Sequence, residues 1–258
     1  MAFYSQSPVA IAPPYHSSSS SYSSGPSLGG HGSKPRGHRV CDTCGAIETA
    51  QTGRFRLCGG CMITQYCSPE CQKNNWPQHK ILCRHTAEQM TASKQHATAV
   101  GPSSEFPDPN LAKNLRKFTS AHADLIGWTA FQALQLKRMP INIRQYALQV
   151  NLQFRPSNDS ASRFTVASVQ LVPKSILNDA DPVVSEDVSR REERCRRAGG
   201  IGVAVVLLQC GLVSQVMPVE VDPPAKIAWD ARDDWEQVFR MYTEAGRTDF
   251  TAPISRRR

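Results

Sequence analysis

Eight residues between Cys41 and Cys83 have the side-chain types and spacing of soft-metal ligands. They read Cys41-x2-Cys44, thirteen residues, Cys58-x2-Cys61, five residues, Cys67-x3-Cys71, seven residues, His79-x3-Cys83. Zinc is held by four thiolate or imidazole groups at the corners of a tetrahedron, so this set suffices for two ions. Because protein groups fill every corner, no position is left for a reactive water, and the expected role of the metal is structural.

The elements that present these ligands follow from the residues between them. Each short Cys-x2-Cys turn bends the backbone so that two sulfurs meet one ion. Ser68 can cap a helix that Pro69 opens, bringing Cys67 and Cys71 to a helix entry. His79 and Cys83 are four residues apart and share one face of a second short helix. A segment this small, with few large apolar groups, buries too little surface to fold alone, whereas structural zinc contributes about 10–16 kcal/mol per site in comparable peptides.

The spacing, together with Tyr66-Cys67-Ser68-Pro69-Glu70-Cys71-Gln72, Trp76 and His79-Lys80-x2-Cys83, resembles a MYND-type zinc finger and covers about a sixth of the 258 residues. The resemblance implies cross-braced sites. One zinc would be held by Cys41, Cys44, Cys67 and Cys71, the other by Cys58, Cys61, His79 and Cys83. It also implies a protein-interaction module that docks proline-rich peptides beside the second-half helices, with Gln72 and Trp76 in the groove. Such peptides are already extended and lose little entropy on binding, and an indole beside an amide suits them. Arg54, Phe55 and Arg56 could extend that surface. The polar thirteen-residue segment after Cys44 is longer than is usual in the family and is expected to lengthen a loop without changing ligation. A RING finger would need a closing Cys-x2-Cys, which is absent.

Composition narrows the remaining classes. A disulfide framework would require an oxidising compartment, but residues 1–33 contain no Lys or Arg, and Pro13-Pro14 cuts the short apolar run before them, so no signal peptide is read there. An intracellular location is expected, with Lys34-Pro35-Arg36 and Arg256 to Arg258 favouring the nucleus over the cytoplasm. The net charge is +8. Residues 1–86 hold eight Lys or Arg against three acids, and the rest hold twenty-two against nineteen, so the larger part is nearly neutral. The longest apolar run, Ile201 to Leu208, falls far short of the roughly 20 residues a membrane helix needs, and no membrane association is expected.

Along the chain, residues 1–38 read as a disordered Ser/Gly/Pro-rich tail, 39–85 as the finger, 86–107 as a linker, 108–250 as an α+β domain and 251–258 as a basic tail. Within 108–250, Asp108-Pro109 should open a long amphipathic helix that could break at Gly127. Leu148 to Phe154 and Phe164 to Val172 should form a hairpin with a bulge near Val169, and Ser185 should cap an arginine-rich helix. Gly202 to Cys210 should be a central strand and Val213 to Val221 its edge partner, and a last helix should contain Trp235 to Tyr242. The fold class is therefore a two-zinc finger plus an α+β domain with a mostly antiparallel four-stranded sheet. His122 reads as a packed histidine, Cys195 as an ordinary thiol, and the arginine cluster as a solvated helix face.

Enzymatic motifs are absent: there is no Gly-x-Ser-x-Gly elbow, phosphate-cradling loop or His-Glu-x-x-His. Some SET-domain methyltransferases carry a MYND finger, but their catalytic part wraps both sides of it and uses an Asn-His-Ser-Cys type segment that this chain lacks. No enzymatic activity is expected. The leading expectation is a zinc-binding adaptor for a protein partner with a proline-rich segment, with transcriptional regulation as the expected setting. The alternative is nucleic-acid binding by the basic finger and its flanks.

Overall fold

The computed structural model describes residues 9–11, 15–16, 41–46, 52–53, 55–101 and 108–253. The expected tails lie outside the described residues, apart from 9–11, 15–16 and 251–253. In chain order the elements are β1 (Val9–Ile11), β2 (Tyr15–His16), β3 (Arg56–Leu57), β4 (Gln65–Tyr66), α1 (Pro69–Val100), α2 (Leu111–Ala121), α3 (Ala123–Ala133), α4 (Asn142–Gln145), β5 (Tyr146–Phe154), β6 (Phe164–Pro173), α5 (Ile176–Ala180), α6 (Pro182–Arg197), β7 (Gly202–Cys210), β8 (Val213–Val221) and α7 (Trp235–Glu244).

The apolar run of β7 lies in the middle of the main sheet, whose order is β1-β8-β7-β5-β6 with β2 also on β8. Strands covered on both faces lose the polar alternation of a half-wet strand, which is why β7 is nearly continuously apolar. The two antiparallel hairpins, β5–β6 and β7–β8, are the expected ones. They are joined by a parallel contact between β5 and β7, Leu148 opposite Val206 through Asn151 opposite Gln209, and β1 and β2 also run parallel to β8. The sheet is thus mixed rather than mostly antiparallel. A tight hairpin dictates an antiparallel neighbour, but the α5–α6 connection is long enough to return β7 alongside β5 in the same direction. The bulge in β6 falls at Ala167, the extra residue between Ser168 opposite Asn151 and Val166 opposite Leu152.

Helices and the finger cover opposite faces of this sheet. On one face Leu148, Val150, Val206, Leu208, Met217 and Val219 join Phe118, Trp128, Phe131 and Phe239 from α2, α3 and α7 in one cluster. On the other, Ala147, Val203, Val205 and Val216 join Val184 and Val188 of α6 and the finger residues Phe55, Ile63 and Leu82. The finger therefore supplies part of a layer over the sheet and shares its core, so metal is not its sole support.

Three helix boundaries differ from expectation. The two short helices of the finger's second half are one 32-residue helix, α1, which Ser68 caps through a bond from the Cys71 N–H, which carries Pro77 inside, and which continues through the expected linker to Gly101. The first helix of the larger part breaks at His122 and not at Gly127, which lies inside α3. Helix α6 starts at Pro182, where the Asp181 carboxylate accepts from the Val183 and Val184 N–H groups, whereas the Ser185 hydroxyl bonds to Asn178.

Candidate metal centres and the exposed face of the finger

Strands β3 and β4, the turns around them and helix α1 bring the eight ligands into two groups. Cys41, Cys44, Cys67 and Cys71 form one, Cys58, Cys61, His79 and Cys83 the other, and within each group the ligand atoms all lie within 4.8 Å of one another. These are the cross-braced sets the family resemblance implied. A tetrahedron with arms of about 2.3 Å has edges of about 3.8 Å. Observed separations fit that figure: Cys44 Sγ to Cys67 Sγ is 3.6 Å, Cys67 to Cys71 3.5 Å, Cys58 to Cys83 3.6 Å and Cys61 Sγ to His79 Nε2 3.5 Å. They are far beyond an S–S bond, and all nine cysteines are free thiols. The donor set therefore fits two structural zinc ions.

Local backbone makes room for these contacts. A Cβ at Gly60 would lie 2.9 Å from Cys83 Sγ, so the Cys58–Cys61 turn needs glycine there. Met62 follows with φ of 57°, an unusual conformation for a side-chain-bearing residue, held by its N–H to Cys58 O bond of 2.9 Å. Thr64 Oγ1 lies 3.0 Å from His79 Nε2 and 3.6 Å from Cys61 Sγ, beside the second group.

The groups differ in exposure. All four residues of the second are buried, while in the first only Cys41 is, Cys44 being exposed and Cys67 and Cys71 half-buried. Desolvation and the neighbouring thiols push Cys67 up to about 12, and burial pushes Cys83 up. Backbone N–H groups of Cys44, Cys67 and Thr43 outweigh burial at Cys41 and hold it down to about 7. A dication reverses the penalty at the raised thiols by binding them as thiolates, so zinc uptake releases protons and weakens in acid.

Charged residues that sequence reading missed fix the finger on the rest of the fold. Buried Asp42 accepts from the Gln65 N–H at 2.8 Å and pairs with Arg191 of α6 at 3.2 Å. Arg191 also pairs with Asp187 at 2.7 Å, and Arg194 donates to the Asp42 carbonyl at 3.2 Å while pairing with buried Glu220. Burial pushes the Asp42 carboxyl up. At Asp187 the neighbouring Arg191 and Arg190 outweigh burial and hold it down. Buried Arg116 of α2 donates to Cys61 O at 2.7 Å, placing a cation against the thiolate-rich second group. The arginine cluster is therefore not a wholly solvated face: Arg191 is buried and Arg194 reaches the finger, while Arg196 and Arg197 stay exposed. Its run was visible in sequence, but its carboxylate lies 149 residues away, in a Cys-x2-Cys turn where nothing marked it.

Gln72 and Trp76 lie one turn apart on α1 and both are exposed. The Trp76 indole is 41% exposed, with its ring 6.1 Å from that of His79 in an edge-on contact. Phe55, by contrast, is buried and cannot extend a docking surface. Arg56 is exposed, and Arg54 lies outside the described residues. His122 is buried against Phe118, ring to ring 4.6 Å, and Cys195 is buried with Sγ 3.2 Å from Gly202 O, so both are packing residues.

No helix is long and apolar enough to cross a membrane among the described residues. Residues 41–83 match the family model of the MYND finger. The chain is 40% identical over 58 residues to SET domain and MYND-type zinc finger protein 6 of Schizosaccharomyces pombe, covering 22% of this chain and 10% of that protein. It is 40% identical over 45 residues to zinc finger MYND domain-containing protein 10 homolog of Drosophila melanogaster, covering 17% of this chain and 10% of that one. The chain thus spans about a tenth of the length of these relatives. No solved structure matches it. With ligand sets, geometry and family model in agreement, residues 41–83 are a MYND-type zinc finger, a protein-interaction module with two zinc sites.

Proposed function

We propose that the chain is a non-enzymatic adaptor that presents its finger to a partner protein and docks an extended, proline-rich segment of that partner across Gln72 and Trp76. The observation that carries the reading is the position of Trp76. The finger buries Phe55, Ile63 and Leu82 against the sheet and α6, yet leaves this large indole half in solvent, next to an exposed amide on the same helix face. An aromatic anchor beside a hydrogen-bonding amide is the combination that extended proline segments use. Eight ligands for two tetrahedral ions support a structural role for the metal. A role in transcriptional regulation, and hence in the nucleus, is the setting we favour for such an adaptor.

The test is an array of proline-rich peptides probed with the zinc-loaded full chain and with Trp76→Ala, after native mass spectrometry has shown two zincs on both. Binding by the wild type that the variant loses supports the reading, and binding by neither overturns it. Nucleic-acid binding is distinguished by salt, since phosphate contacts give a steep fall of affinity between 50 and 200 mM salt that peptide docking lacks.

A further inference from the structure

Between its bulge and Pro173, one edge strand of the main sheet carries none of the charges that usually protect an edge. Among the described residues, strand β6 pairs on one side only, with β5. Helix α7 covers its first half, where Arg240 donates to the carbonyls of Val166 and Ala167. Beyond the bulge, Ser168 to Pro173 form the outer edge, and most of their side chains are exposed. Natural edges of this kind carry charges, above all lysine, but β6 has no charged residue from Phe164 to Pro173. The flanking cations are turned inward: Arg163 bonds to Asn114 and Ser157 O, and Lys174 to Glu192, Ile143 O and Val203 O.

The exposed groups here are of two kinds, one on each face. Leu171 is 46% exposed and Tyr146, two positions along on β5, 38%, on the face that carries Leu148 and Val150. On the other face Gln170 donates to Gln149 at 3.1 Å and Asn151 to Ser168 at 2.9 Å, an uncharged amide and hydroxyl ladder that stops at the edge.

We propose that β6 is a self-association edge, pairing antiparallel with β6 of a second copy about a two-fold axis at Gln170. The stretch is self-complementary in that register. Val169 of one copy faces Leu171 of the other on the apolar face, and the two Gln170 amides meet on the axis and extend the ladder to Gln149. With no charge on the strand, nothing repels across the axis, and an isologous pairing closes as a dimer. Pairing would join the two sheets into one and carry two fingers on one particle, so a partner with two docking segments would be held by avidity. This inference is independent of what the fingers bind.

Sedimentation velocity on the zinc-loaded full chain from about 1 to 100 μM tests it, with two variants at exposed Gln170, far from both zinc sites in sequence. Gln170→Lys and Gln170→Glu each put like charges face to face on the axis and should weaken the dimer about fivefold. An equimolar mixture of the two should recover a dimer at least as tight as wild type, which misfolding of either variant would not give. Hydrogen exchange should show the β6 amides protected in the wild-type dimer and released in either variant alone. A wild type that stays monomeric overturns the proposal and leaves the edge to a foreign strand. A dimer indifferent to both substitutions also overturns it, by placing the contact elsewhere.

Discussion

Replacing Arg191 by Met should destabilise the joint between the finger and the rest of the fold, and the whole fold with it, while nearly preserving side-chain volume. The guanidinium is buried between two buried carboxylates, Asp187 at 2.7 Å and Asp42 at 3.2 Å. Removing it leaves Asp187 with the partly exposed Arg190 at 2.7 Å, and Asp42 with the Gln65 N–H as its remaining short contact. Removing one member of a buried pair costs about 3–5 kcal/mol, because the charge left behind stays desolvated. Asp42→Asn should cost less, about 1–2 kcal/mol, since Arg191 keeps Asp187 and the new amide oxygen can still accept from Gln65. Guanidinium unfolding of the zinc-loaded chain, followed by tryptophan fluorescence and by zinc release to a chromophoric chelator, measures both. The two signals should move together for Arg191→Met, as the finger and sheet share one core cluster. The reasoning is refuted if Arg191→Met costs less than about 1 kcal/mol, or if fluorescence shifts while zinc release stays where it was.

Two further outcomes follow from the same geometry. Under a competing chelator the first zinc should leave faster than the second, because Cys44, Cys67 and Cys71 are reachable from solvent and the other set is wholly buried; Cys44→Ser should abolish the fast phase in a stopped-flow assay and leave the slow one. Burial holds His122 below its ordinary pKa, so the folded chain stays neutral there while the unfolded chain takes up a proton as pH falls through about 6.5. Stability should therefore decline toward acid across that value, and His122→Gln should flatten the decline in denaturation midpoints measured from pH 7.5 to 5.5.

What the sequence disclosed was mostly local. Ligand types at fixed spacing reveal the finger because metal chemistry admits few alternatives, and the hairpins are legible from the alternation along β5 in one and the two-residue link between β7 and β8 in the other. The bulge was placed within two residues of Ala167 by the change of apolar face. What stayed hidden depends on residues distant in the chain. The parallel contact of β5 with β7 has no local mark. The packing of Phe55 on the sheet was masked by the polar segment around it, and Asp42 looked like any turn acid until Arg191 was found beside it. The start of α6 was misplaced because two capping residues competed. Asp181 before Pro182 prevailed over Ser185, since a proline at the first turn needs no N–H partner and fixes φ for the helix. Trp76 and Gln72 were found through the motif, and their exposure could not be read from it.

Helix α1 has a mechanical consequence. At 32 residues it is a rod of roughly 48 Å, and it contributes Leu82 and Cys83 to the cluster around the finger and Ala97 to the one on the opposite side of the sheet. Both ends are thus clamped in different cores. A pull applied at Trp76 acts on the short arm of a lever whose far end is seated beside α2 and β1. Load on the docking face would reach the sheet as torque along this one helix, passing first through Pro77, where a backbone hydrogen bond is missing.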